Sequence, residues 1–231
     1  MDIQTLLELD RQALFFFNGS DSFFLDGLIM TLTSGYTWIP LYIGWMYLVI
    51  KNNETAAQIT LTIGASLLCV LLASVMANVI MKPLTERPRP LNDPLLMLSV
   101  DTIQGLHSKD YSFFSAHAAN TFSLVVFFSL LVRNRLFTFF MVFWSLLNCY
   151  TRIYAGMHYL SDILVGLIWG GTVGLSVYYL YGRVYSKISP RLNYVSTQYT
   201  RTGYSLPDID IVLSLFVLCL LYAVFKALLM E

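Results

Sequence analysis

The chain has 231 residues, 57% of them hydrophobic and only 12% charged, with a formal net charge of zero. Soluble domains carry about 25% charged residues, so this composition provides too little polar surface for a chain in water. The neutral balance argues against nucleic acid or another polyanion as a partner. Cys69, Cys149 and Cys219 each fall inside an apolar run, a scatter that suits buried thiols and neither a disulfide framework nor a metal knuckle. The expectation is an all-α polytopic membrane protein, with residues 1–231 as one integral membrane domain.

Residues 3–17 mix Ile3, Leu6, Leu7, Leu14 and Phe17 with Glu8, Asp10, Arg11 and Gln12, the spacing of an amphipathic helix lying in the membrane interface. The opening Met1-Asp2-Ile3-Gln4 has no basic segment or small-residue cleavage site, so no signal peptide is expected. Asn18-Gly19-Ser20-Asp21 breaks the first helix, and a spanning helix is expected over residues 23–50, with Gly35 and Pro40 able to kink it. Residues 56–81 carry no charge and are long enough to cross about 30 Å of hydrocarbon, with an expected stop at Lys82-Pro83. The polar stretch 82–115, with four prolines, is the longest loop, and loops of that length are usually functional or disordered. Ser115-Ala116-His117 opens a third span ending near residue 132, and residues 136–150 make a fourth. A fifth covers residues 161–181, where Gly166, Gly170, Gly171 and Gly174 permit close helix packing. Residues 183–210 read as a polar connection and residues 211–230 as a sixth span.

Six crossings put the loops on alternate sides. Lys51, Arg133, Arg135, Arg183, Lys187, Arg191 and Arg201 gather on one side. Arg11, the Lys82 to Arg89 cluster, Lys109, Arg152 and Lys226 gather on the other. With Lys82, Arg89 and Arg152 set aside as site residues, the first side holds the excess of free positive charge and is expected to face the cytoplasm. The second side then faces outward, which in a bacterium is the periplasm.

The outward side carries the chain's unusual polar residues. Between two apolar runs lies Thr151-Arg152-Ile153-Tyr154-Ala155-Gly156-Met157-His158-Tyr159-Leu160-Ser161-Asp162, where ionisable groups are costly unless they face a cavity or one another. If His158 opens a helix, Asp162 at i+4 lies on the same face. It can hold one imidazole nitrogen and leave the other free as base or nucleophile. Arg152, across the Gly156 break, offers a planar fork to a phosphate. Two further clusters accompany this one: Lys82-Pro83-Leu84-Thr85-Glu86-Arg87-Pro88-Arg89-Pro90 and Phe113-Phe114-Ser115-Ala116-His117.

Together these resemble the type 2 phosphatidic acid phosphatase superfamily, which also includes the vanadium haloperoxidases. Its signature is Lys, six residues, Arg-Pro; then Pro-Ser-Gly-His; then Ser-Arg, five residues, His, three residues, Asp. Lys82 and Arg89-Pro90 match the first element. Ser115 and His117 match the second, with Phe114 and Ala116 in place of Pro and Gly. Arg152, His158 and Asp162 match the third, with Thr151 in place of Ser. The motif context spans residues 56–182. Ala cannot adopt a positive φ as cheaply as Gly, so the turn at Ala116 is expected to differ in shape.

The resemblance implies a membrane lipid phosphatase. His158 is the implied nucleophile, Asp162 its orienting carboxylate, and His117 the acid and then the base. Lys82, Arg89, Ser115 and Arg152 are the implied phosphate ligands. Phosphoryl transfer needs its oxygens neutralised and its nucleophile and leaving group held in line, and three cations with neutral donors supply that. No metal or other cofactor is expected, because two imidazoles without a Cys or carboxylate cluster make a poor metal site and the cations repel a divalent ion. Each residue also has a plainer reading. Asp162 and Ser115 suit helix N-caps, and Lys82 and Arg152 suit side chains reaching for lipid headgroups. Arg87 has no assigned role, His107 reads as surface, and Tyr154, Tyr159 and Phe114 are expected to line the site by proximity.

The implied partners are the bilayer and a lipid phosphate within it. Undecaprenyl diphosphate and lipid A lead as substrates, followed by phosphatidylglycerophosphate and phosphatidate, in a bacterial inner membrane. Two rival readings are a non-catalytic lipid-phosphate binder or transporter with a relic site, and a haloperoxidase holding vanadate in the same cage.

Overall fold

The computed structural model of the chain describes residues 3–103, 106, 108, 110–189 and 197–230. His107, Lys109 and Arg191, and the opening Met1-Asp2, lie outside the described residues. Among the described residues the structure is all-helical, with an isolated bridge between Tyr199 and Ser205. The helices are α1 (Ile3–Phe17), α2 (Phe23–Thr33), α3 (Ile39–Lys51), α4 (Ala56–Ser74), α5 (Lys82–Thr85), α6 (Ala116–Val132), α7 (Arg135–Tyr154), α8 (Leu160–Ile188) and α9 (Leu206–Leu228). Among the described residues four stretches are long and apolar enough to cross a membrane: Ala56–Asn92, Arg135–Tyr154, Leu160–Ile188 and Leu206–Leu228. Phe23–Thr33 and Ala116–Val132 are shorter apolar helices.

Local sequence sets the helix ends. Ser22 caps α2 by accepting from the Leu25 N–H, and Thr55 with Gln58 forms a capping box at the start of α4. Asn134 caps α7. The expected span over residues 23–50 is broken. Ser34 is extended, a 3-10 turn covers Gly35–Trp38, and α3 restarts with Pro40 in its first turn, where a missing N–H costs nothing. Carbonyls freed at the break are taken up by side chains, Thr37 Oγ1 donating to Thr31 O and Trp38 Nε1 to Leu32 O.

The expected stop at Lys82-Pro83 also moves. A π-helical segment, Val75–Met81, follows α4, and the Lys82 N–H bonds to Ala77 O, five residues back. The widened turn accommodates Pro83, and the helix runs on to Thr85. The fourth expected span is longer than its apolar run, so Arg152 sits on the last turn of α7.

The tightest packing joins α8 to α6. A Cβ on Gly166, Gly170 or Gly174 would stand 2.7, 2.5 or 2.6 Å from the carbonyl oxygens of Ser115, Ala119 and Ser123, so the α8 glycines lie directly on the α6 backbone. Gly171 only faces the Phe122 ring, at ordinary contact distance. An aromatic cluster fills the bundle, with Trp45 against Trp144 at 5.3 Å and Trp38 stacked on Phe216 at 5.9 Å.

The two ends of α6 and α8 differ in chemistry. Their C-terminal ends, with the ends of α3 and the segment before α9, frame a cavity of about 1070 Å³ lined by Lys51, Arg133, Arg183 and Arg201. Their N-terminal ends meet the ends of α5 and α7, and all three motif clusters come together there.

Candidate active site

α7 ends at Tyr154, and Gly156, with a φ of +64°, turns the chain two residues on. A Cβ there would meet Val100 Cγ1 at 2.5 Å. The turn delivers Met157 and His158 to the mouth of the bundle before α8 begins at Leu160. His158 therefore precedes α8, contrary to the expectation that it opens the helix, yet Asp162 on the first turn still reaches it. His158 Nδ1 lies 3.5 Å from Asp162 Oδ2, and both side chains are buried, at 2% and 0% exposure. Asp162 Oδ2 also accepts from the Tyr159 N–H at 2.9 Å and from the Ser112 hydroxyl, so the helix-capping reading of Asp162 and the histidine-holding reading hold together.

The other imidazole nitrogen, Nε2, faces Arg89 Nη1 at 3.5 Å. A guanidinium can only donate, so Nε2 is the lone-pair nitrogen and Nδ1 carries the proton toward Asp162. Both separations, at 3.5 Å, are long for hydrogen bonds. Burial pushes the His158 pKa down to about 4, Arg89 and Lys82 adding to the fall and Asp162 opposing it. The imidazole is thus neutral at pH 7.

A cavity of about 730 Å³ is lined by Lys82, Arg89, His117, Arg152 and His158, with Asn78, Asn120 and Asn148 among the other polar groups on its wall. Lys82, Arg89 and Arg152 are 8%, 6% and 6% exposed, and none forms an ion pair among the described residues. Lys82 Nζ bonds to Asn78 Oδ1 at 2.7 Å. Arg89 donates to the carbonyls of Asp110 and Met157 at 2.9 and 3.2 Å. Among the described residues Arg152 has only the Met157 sulfur at 3.7 Å, and its buried Nε finds no partner there. Leaving a buried charge unpaired costs about 3–5 kcal/mol, so a fold that gathers three such cations around one cavity is set up to receive an anion.

His117, on the first turn of α6, is exposed into this cavity. Ser115 is not on the wall. It is fully buried at the N-cap of α6, where its Oγ accepts from the Ala118 N–H at 3.5 Å. Its backbone N–H donates to Asp162 O at 3.1 Å, tying α6 to α8.

The three aromatic residues expected at the site are elsewhere. Phe114 packs against Ala73, Ala77 and Ala119. Tyr154 donates to Asp26 Oδ1 at 2.8 Å and contacts Ser20 at 2.8 Å. Tyr159 donates to Asp93 Oδ2 at 2.9 Å. Each finds a better-satisfied place behind the wall, where sequence proximity does not govern direction. Sequence reasoning missed Ser112, Asn78 and Asp10. Asn78 had a readable signal, since it lies one turn before Lys82; Ser112 and Asp10 had none.

The model of the PAP2 superfamily matches residues 63–186. The lipid A 4'-phosphatase of Bacteroides thetaiotaomicron is 35% identical over 180 residues, covering 77% of this chain and 79% of that one. The lipid A 4'-phosphatase of Porphyromonas gingivalis is 32% identical over 185 residues, covering 78% and 77%. Among solved structures, Aquifex aeolicus LpxE aligns with a TM-score of 0.56 at 26% identity, covering 75% of this chain and 94% of that one. A PAP2-type phosphatidylglycerolphosphate phosphatase from Bacillus subtilis aligns with a TM-score of 0.52 at 20% identity, covering 81% and 88%, a likeness of fold.

Proposed function

The chain belongs to the PAP2 superfamily and is a membrane lipid phosphatase, and from that premise we propose that it removes a phosphate from lipid A through a phosphohistidine intermediate on His158. The observation that carries the reading is the cage of Lys82, Arg89 and Arg152, three buried cations without carboxylate partners among the described residues, around a cavity that also holds two histidines. The names of the Bacteroides and Porphyromonas relatives support lipid A over the other lipid phosphates.

The phosphate oxygens are neutralised by the three cations, a fixed electrostatic arrangement that needs no rearrangement during reaction. His158 Nε2 attacks phosphorus in line, the P–O bond to the sugar breaks, and His117 gives its proton to the leaving oxygen. Asp162 holds Nδ1–H and stabilises the charge that develops on the ring. Water, deprotonated by His117, then displaces phosphate from His158. Ser115 acts by capping α6, which sets the first turn bearing Ala116 and His117. No metal enters any step.

In the membrane, the broken pair α2–α3 makes one crossing and α4 with α5, α6, α7, α8 and α9 make five more. The 17 residues of α6 span about 26 Å at 1.5 Å each, close to the hydrocarbon thickness. α1 lies along the interface, and Leu6, Leu7, Leu9, Phe15 and Phe16, all exposed, support that placement. The basic residues Lys51, Arg133, Arg183 and Arg201 at the far end face the cytoplasm, and the cavity with His158 faces the periplasm.

The test is phosphate release by detergent-purified protein with EDTA present, from lipid A, undecaprenyl diphosphate, phosphatidylglycerophosphate and phosphatidate. The expected result is release from lipid A, abolished by His158→Ala. Release from another lipid alone would move the substrate, and EDTA-sensitive release would contradict the metal-free site. No release by a folded sample would overturn the proposal.

A further inference from the structure

Arg87 turns both terminal nitrogens of its guanidinium away from the cavity and into ion pairs. Nη1 donates to Asp162 Oδ1 at 2.8 Å and to Ser161 Oγ at 2.9 Å, and Nη2 donates to Asp10 Oδ2 at 2.8 Å. The guanidinium lies 3.9 Å over the Tyr159 ring, and Arg87 is absent from the residues lining the cavity. It is the one arginine or lysine among the described residues that forms ion pairs, and it forms two.

The contacts converge on the orientation of one carboxylate. Asp162 has two oxygens: Oδ1 is held by Arg87, which leaves Oδ2 to face His158 Nδ1, the Tyr159 N–H and Ser112. Arg87 also acts on that second oxygen, because its backbone carbonyl accepts from the Ser112 N–H at 2.8 Å and so places the hydroxyl that Ser112 gives to Asp162. Asp10 completes the arrangement from α1. It is 6% exposed, its Oδ1 accepts from the Ser161 N–H at 2.8 Å in the first turn of α8, and its Oδ2 holds Arg87 and the Ser161 hydroxyl. A carboxylate at a helix N-terminus is stabilised by the exposed amides there, which fixes α1 to the turn that carries Asp162.

We infer that Arg87, clamped by Asp10, is a positioning residue for the hydrolysis proposed above: the pair fixes the Asp162 carboxylate and through it the tautomer and direction of His158. The inference rests on that reading of His158 as nucleophile. It assigns α1 a part in the site and gives Arg87, which the sequence leaves without a role, one behind the cavity wall.

The test uses Arg87→Gln, Arg87→Lys and Asp10→Asn in the full chain, with kcat and KM measured on the lipid phosphate that the wild type hydrolyses and with thermal stability measured in the same detergent. A misplaced catalytic group costs about 10- to 100-fold. Arg87→Gln should lose that much of kcat while KM stays within about twofold, because binding equal in ground and transition state is untouched. Arg87→Lys should recover part of the loss, and Asp10→Asn should lower kcat by a smaller factor at unchanged KM. A rise in KM at unchanged kcat would overturn the inference in favour of a headgroup contact. Wild-type turnover in all three variants would overturn it too. Should Arg87→Gln fail to fold, Asp10→Asn decides, since it leaves Arg87 and Asp162 in place. If the wild type itself releases no phosphate from any lipid, the proposed function fails separately, and nitrogen NMR of the labelled imidazoles tests the clamp. A fixed Nδ1–H tautomer at His158 that becomes mixed in Arg87→Gln or Asp10→Asn supports it, and an unchanged tautomer overturns it.

Discussion

At the scale of single residues, the site trades stability for charge. Arg152 is buried with its Nε unpartnered beside Arg89 and Lys82, so its removal relieves a cost that the folded protein carries. Arg152→Met is therefore expected to lower kcat/KM by about 10²–10³-fold, the usual loss on removing a transition-state donor, while the melting temperature in detergent holds or rises. A variant that loses activity and stability together would contradict this. The pH dependence follows from His158. Its attack needs the neutral ring, and burial with Arg89 and Lys82 lowers its pKa to about 4, so the neutral form persists below the ordinary imidazole range. As pH falls, kcat/KM should hold past pH 6.5 and decline only as the ring protonates near pH 4; a decline centred at or above 6.5 in the profile would refute the assignment.

At the scale of helices, the α8 glycines decide whether α6 and α8 can hold His117 and Asp162 at one end of the bundle. A Cβ at Gly170 would lie 2.5 Å from a backbone oxygen, whereas one at Gly64 meets nothing within 4 Å. Gly170→Ala is expected to destabilise by about 1–3 kcal/mol through overpacking. Gly64→Ala, at an exposed position of α4, should be neutral or stabilise by up to about 1 kcal/mol through helix propensity. Thermal unfolding of the pair in one detergent checks both signs. Sequence reading located these helices but not their ends, and the reasons are physical. Apolar content marks where a chain can cross lipid, while α7 runs past its apolar segment and carries Arg152 to the cavity wall. Pro83 reads as a stop, yet the π segment before it supplies a register that admits the ring. The break at Ser34 depended on Thr37 and Trp38 reaching back to freed carbonyls, which no local pattern announces.

At the scale of the whole molecule, the three motif clusters were legible because each carries residue types that a membrane chain does not otherwise keep, and the fold brings Lys82, Arg89, His117, Arg152 and His158 to one cavity. What was not legible is the support behind them. Ser112, Arg87 and Asp10 act across distances of 50 to 151 positions in the chain, where spacing gives no information. The same separation holds Phe114, Tyr154 and Tyr159 away from the wall despite their closeness in sequence. The bundle gathers three buried cations around one cavity, sets a buried histidine beside them, and fixes α1 to the turn behind that histidine through Asp10. The proposed reaction passes phosphate through His158. The direct measurement is a rapid quench of the enzyme in alkali during turnover of radiolabelled lipid A, followed by peptide mapping. Label that is stable in alkali, labile in acid and confined to the peptide bearing His158 is the predicted result. Label on another residue, or none during a single turnover that releases phosphate, would contradict it.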